Sequence, residues 1–148
     1  MSRWYLAKAQ ERRLAVAVFA PTALLVLAIA SVFVPNFGWD WGLVSFALLT
    51  VSLLAWTLGP EMSAFIRRGD GFGRPIIAGV SFVVASYALA APIIAASAVG
   101  LSDIQDLAAI LFGAVFGFFY AASILSYGFL IGAAAGLVFA WFVLGDDD

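Results

Sequence analysis

Long apolar runs separated by short polar breaks organise this chain. The first run, Leu14–Val34, would rise about 31 Å as a helix, which matches the hydrocarbon core of a bilayer. The first break, Pro35–Gly42 (PNFGWDWG), places Trp39 and Trp41 as interface anchors. A second run covers Gly42–Leu58, and Gly59-Pro60 predicts its end, the glycine as a left-handed cap and the proline as a stop. Pro60–Gly69 then reads as a short interfacial helix, about 60–68. Pro60 takes its first position, Glu61 its positive end, and Arg67 and Arg68 its negative end. GDGFGRP leads into a third run, Ile76–Val99. After it, Ser102 and Gln105 form a capping box, and Asp103 and Asp106 fall in the first turn of a fourth helix.

The last apolar stretch, Leu107–Leu144, is nearly twice the length of one span. A single helix from Asp103 to Leu144 would be about 63 Å long against a core of about 30 Å. The spacing of small residues predicts how it folds. Gly113, Gly117 and Ala121 recur every four residues, as do Gly128, Gly132 and Gly136. Such small-xxx-small tracks let helix backbones approach closely. The two tracks are mirror images about Ile124 and Leu125, so an antiparallel hairpin turning there would set 121 against 128, 117 against 132 and 113 against 136. Ser123 and Ser126 flank that turn and can bond freed backbone groups.

The resulting fold expectation is an all-α, polytopic membrane bundle of five transmembrane helices. The spans are about 14–34, 42–58, 76–99, 103–124 and 127–144, in a single integral-membrane domain. The alternative is four spans with a long or broken last helix. Charge placement agrees with five. Arg3, Lys8, Arg12 and Arg13 precede the first span, and Arg67, Arg68 and Arg74 sit in the second loop. All seven cations then face the cytoplasm, as the positive-inside rule expects. The N-terminus lies inside, and the Asp146–Asp148 tail lies outside a cell membrane.

Composition narrows the chemistry. The chain has 148 residues, 65% hydrophobic and 11% charged, where a soluble domain carries about 25% charged residues. Lipid must therefore solvate most of the surface, and no room remains for a sizeable soluble domain. The N-terminal mix of Arg3, Lys8, Arg12 and Arg13 with Trp4, Tyr5 and Leu6 suits a bilayer interface. Arg12-Arg13 and the AIAS stretch at Ala28–Ser31 have the letters of a twin-arginine signal and of a cleavage site, but the apolar run continues past them, so an uncleaved span is expected. Arginine-rich cations with abundant Ala, Val and Gly give a halophile-like composition.

Cysteine and histidine are absent, so disulfides, thiolate chemistry and imidazole ligation are excluded. No Asp, Glu, Lys or Arg falls within a predicted span beyond Asp103 and Asp106 in the first turn of the fourth, which argues against ion-coupled transport and voltage sensing. No cofactor, metal or nucleic-acid partner is expected. GDGFG (Gly69–Gly73) lacks the strand and spacing of a phosphate loop, and the RGD letters at Arg68–Asp70 fall on the inner side. Asp103 and Asp106 read as capping residues rather than a cation site.

Pro21 and Pro92 lie within spans and free the carbonyls of Ala17 and Ala88; Thr22 can satisfy a freed group nearby. The polar groups at depth are Ser45, Thr50, Ser52, Ser81, Ser86, Tyr87, Ser97 and Tyr120. Ala78, Ser81, Ala85 and Ala88 form an expected packing seam, and Phe112, Phe116 and Phe119 an aromatic stripe toward lipid or another subunit. The functional expectation is a non-enzymatic structural or accessory protein acting through helix contacts, with the lipid bilayer and a homo-oligomer or larger membrane complex as partners. A small oligomeric channel or facilitator for a neutral solute is the alternative.

Overall fold

The computed structural model describes residues 3–34, 40–69, 71–99 and 104–145. The expectations placed on Pro35–Trp39, Asp70, the Ser102–Asp103 cap and the Asp146–Asp148 tail lie outside these residues. So do those resting on the side chains of Trp4, Tyr5, Leu6, Ser97, Gln105 and Asp106.

The described chain is all-helical: α1 Arg3–Phe33, α2 Trp41–Arg67, α3 Gly73–Val99, α4 Ile104–Ile124 and α5 Tyr127–Gly145. Stretches within four of these are long and apolar enough to cross a membrane: Lys8–Phe33, Trp41–Arg67, Gly73–Ile93 and Tyr127–Gly145. The apolar part of α4, Leu107–Ser123, is shorter.

α1 begins eleven residues before the expected span, because KAQERR is built of good helix formers and continues the helix outward. Asp40 caps α2, its carboxylate accepting from the Gly42 amide at 2.7 Å. The stop expected at Gly59-Pro60 is not found: α2 runs through both as one helix of 27 residues, with no separate interfacial helix. Pro60 removes one backbone bond, and two contacts that need an unbroken helix offset the loss. A methyl at Gly59 would lie 2.7 Å from the Ala15 Cβ, so the glycine lets α2 press against α1. One turn further on, Ser63 Oγ donates to Glu11 Oε1 at 2.8 Å, and Arg67 pairs with the same oxygen at 2.8 Å. Positions 63 and 67 share a face only if the helix persists beyond Pro60. Gly71, at φ 95°, makes the left-handed turn into α3 that a side chain would disfavour.

The path of the last two helices differs from the expected hairpin. Gly113 lies against Ala95, Gly117 against Ala91, Gly128 against Tyr87, Gly132 against Gly79 and Val83, and Gly136 against Pro75. As the α4–α5 numbering climbs, its partner in α3 falls without interruption. Both helices therefore run antiparallel to α3 and in the same direction as each other. α4 and α5 form one broken helix, with no packing of one upon the other among the described residues. The registers 113–136, 117–132 and 121–128 are not formed. Spacing of four marks a surface for close approach but does not name the partner, and α3 offers Gly79, Ala91 and Ala95 along its whole length.

The break falls at Leu125–Ser126. The Leu125 amide still bonds the Ala121 carbonyl at 2.8 Å. Gly128 and Phe129 then bond only three residues back, to Leu125 and Ser126, at 2.8 and 3.1 Å. Side chains hold it: Tyr87 OH donates to the Leu125 carbonyl at 3.0 Å, and Ser123 Oγ donates to the Phe119 carbonyl at 2.8 Å, a bond that bends helices. Tyr127 OH ties the start of α5 to the Val26 carbonyl of α1 at 2.7 Å.

In consequence the start of α1 and the end of α5 share one end of the bundle, where the hairpin would have set them at opposite ends. Arg67 joins them, bound to Glu11 and donating to the Val143 carbonyl at 3.3 Å. Lys8, Arg12, Arg13 and Arg74 belong to helix segments at this same basic end, and Arg68 caps α2 there.

Above it lies the densest part of the molecule. Phe19, Phe82 and Phe139 stack between α1, α3 and α5, with ring centroids 4.2 Å (Phe19–Phe82) and 5.9 Å (Phe19–Phe139) apart. Ala15, Ala55, Ile66 and Val143 close around them. The α3–α5 crossing brings backbone onto backbone: a side-chain carbon at Gly79 would overlap the Gly132 carbonyl, and one at Gly136 would overlap the Pro75 carbonyl.

Candidate functional site

The half of the bundle away from the basic end is built differently. There α4 rests on α3 alone and touches neither α1 nor α2 among the described residues. The space left between α4 and the α1–α2 pair is a cavity of about 760 Å³. That volume lies within the range of about 300–1,000 Å³ typical of small-molecule sites.

Each wall follows from helix periodicity. α1 contributes Thr22, Ala23, Val26 and Leu27, and α2 contributes Leu43, Phe46, Ala47, Thr50 and Val51. α3 contributes Val83, Ser86, Tyr87, Ala90, Ala91 and Ala95. The broken helix supplies Gly113, Gly117, Ala121, Leu125, Gly128 and Gly132, one face carried across the break at steps of three and four. Phe82 lies at the boundary, belonging both to the wall and to the aromatic stack that fills the bundle below.

Five of the six residues expected to pack glycine on glycine therefore line this cavity: Gly113, Gly117, Ala121, Gly128 and Gly132. Gly136 instead sits in the tight crossing on Pro75 and Gly79. Glycine has a different reason at each end. A methyl at Gly117 would meet Ala91 at an ordinary 3.8 Å, and one at Gly113 would meet Ala95 at 3.1 Å. At Gly128 a methyl would collide with the Tyr87 hydroxyl, and at Gly132 with Val83.

The polar groups of the cavity are few, uncharged and mostly committed. Thr22 Oγ1 donates to the Phe19 carbonyl at 2.6 Å rather than to the Ala17 carbonyl freed by Pro21. Ser86 Oγ donates to the Phe82 carbonyl at 2.8 Å, and Tyr87 is spent on Leu125. Thr50 and the rim residue Tyr120 are the exceptions among the described residues. Three polar side chains are buried among the described residues, Thr50, Ser63 and Ser86. Ser63 and Ser86 are bonded, while Thr50, a residue 7% exposed, makes no hydrogen bond among the described residues, and its hydroxyl oxygen is not fully enclosed. Of the other polar residues expected at depth, Ser45 and Ser81 face outward, Ser52 is half-buried, and Tyr120 stands at the cavity rim, 69% exposed.

The outer face of α4 carries Leu111, Val115, Phe112, Phe116 and Phe119, all exposed. The expected aromatic stripe is thus outward-facing. The expected α3 seam is displaced: Ala78 is buried, but Ser81 and Ala88 are exposed, and the inner face reads Pro75, Ala78, Gly79, Phe82 and Ser86. Gly79, Phe82, Phe139 and Tyr127 were not marked in the sequence. An isolated glycine has no track to flag it, and phenylalanine is too frequent here to distinguish core from lipid contact. Among the described residues no cluster of acidic side chains could hold a metal ion. No protein-family model, no curated protein and no solved structure matches the chain.

Proposed function

We propose that the chain is a non-catalytic protein of the cell membrane that works through apolar contacts made within the bilayer, as a homo-oligomer or as an accessory part of a larger complex. One observation carries this reading: among the described residues α4 packs on a single helix of its own chain, α3. A helix with one neighbour leaves most of its surface to lipid or to another protein, and α4 presents a row of large side chains there, Phe112, Phe116 and Phe119. Helix association in lipid depends on such packing surfaces rather than on water exclusion.

The placement of cations supports an orientation with the basic end in the cytoplasm. Since α5 ends beside Glu11 and Arg67, its C-terminal end then lies on the cytoplasmic side as well. A solute path through one copy has less support, because the Phe19–Phe82–Phe139 stack fills the bundle below the cavity.

Cross-linking tests the reading, because the chain contains no cysteine and single-cysteine variants report one position each. In native membranes, Phe116→Cys should give a product of fixed stoichiometry, either a dimer or a defined larger species. Leu25→Cys on α1, also exposed, should not. Equal yields at both positions, or monomer at both, would overturn it.

A further inference from the structure

The geometry points to the cavity between α4 and the α1–α2 pair as a binding site for a neutral lipophile dissolved in the bilayer, an isoprenoid- or quinone-like molecule with an elongated apolar body and one hydrogen-bonding oxygen placed at Thr50. This goes beyond the contact role proposed above and does not depend on it.

Three features select that class. First, every side chain lining the cavity is uncharged, so an ion or a phosphorylated headgroup would enter without a counter-charge. Second, the Thr50 hydroxyl lies on the cavity wall with no hydrogen bond among the described residues, and its oxygen is not enclosed by protein. Thr22, Ser31, Thr57, Ser86 and Ser123 each bond a carbonyl of their own helix, and Ser45, Ser52 and Ser81, unbonded among the described residues, lie off the cavity wall. A hydroxyl left unpaired on the wall of an apolar cavity within a bilayer is costly, and a ligand oxygen at this point would remove the cost. Third, depth decides between lipids. Thr50 lies ten residues beyond the Asp40 cap of α2, a rise of about 15 Å and near half the thickness of a hydrocarbon core. The ester oxygens of a phospholipid stay at the interface and do not reach that level, whereas an alcohol or ketone carried by a fully dissolved lipophile does. The hydroxyl oxygen of Ser86 keeps acceptor capacity after donating to Phe82, so an alcohol could be received as well as a carbonyl.

The test uses the full chain in nanodiscs, with geranylgeraniol as the oxygenated probe and the hydrocarbon of the same carbon skeleton as its control, both titrated by competition with a fluorescent isoprenoid. Geranylgeraniol should bind with one-to-one stoichiometry and roughly two- to tenfold more tightly than the hydrocarbon, the worth of one net hydrogen bond. Thr50→Val should erase that difference and leave hydrocarbon binding in place. Gly117→Leu, whose side chain would enter the cavity, should abolish both. Circular dichroism and thermal unfolding verify that each variant is folded. Should Gly117→Leu fail to fold, Ala47→Leu on the opposite wall serves the same purpose. Equal affinity for the two probes, a preference that survives Thr50→Val, or a cavity occupied by phospholipid acyl chains in lipid-to-protein NMR contacts would overturn the assignment.

Discussion

The two halves of this bundle use the same small residues for opposite ends. Toward the basic end, Gly132 and Gly136 bring α5 onto Gly79 and Pro75 until the backbones touch, and the phenylalanines fill the remaining space. Toward the other end, Gly113 and Gly117 meet only the methyls of Ala95 and Ala91, and the volume that larger side chains would fill stays open. One half is closed by three helices converging on Phe19, Phe82 and Phe139; the other is propped open by a helix that packs on α3 alone among the described residues. A four-residue repeat of glycine thus promises a smooth helix face and nothing more. Whether that face closes on a partner or walls a cavity depends on what stands opposite.

Substitutions should separate the halves, most sharply in the closed one. Gly132→Leu forces a branched side chain into Val83 and the Gly79 backbone, and should cost more than about 4 kcal/mol, preventing recovery of a monodisperse protein in mild detergent. Phe139→Ala should cost about 3–5 kcal/mol in reversible unfolding, since the ring is fully buried and its neighbours cannot collapse into the space. Arg67→Ala should cost about 1–3 kcal/mol, because Glu11 loses a charged hydrogen bond and the Val143 carbonyl loses a donor. Gly117→Ala in the open half should stay within about 0.5 kcal/mol of the parent. If Gly117→Ala proved as damaging as Gly132→Leu, the contrast between the halves would be wrong.

Much of this architecture was legible in the residues. Apolar run lengths located the helices because a bilayer imposes a length scale, and the mirror placement of the two glycine tracks put an interruption, read as a turn, at Ile124–Leu125, next to the observed break. Direction was not legible. A reversal and a kink need the same local letters, and the contact that accompanies the kink comes from Tyr87, thirty-eight positions away, reaching the Leu125 carbonyl. Gly59-Pro60 misled for a similar reason: the pair reads as a stop locally, yet Ala15 and Glu11 of another helix hold it in line. The cavity was half legible. Thr50, Ser86, Tyr87 and Tyr120 were marked as polar groups at depth, but their convergence required knowing that α4 stands clear of α1 and α2.

The central claim is that α4 and α5 run one way along α3. Spin labels at Phe112 and Val138, both exposed, measure it directly by pulsed electron resonance in lipid. Twenty-six residues of broken helix separate them, a rise of about 39 Å if straight and less across the break, so distances of roughly 30–40 Å are predicted. Adjacent helices in a hairpin lie about 8–10 Å apart, so a distribution centred near 10–15 Å would contradict the account.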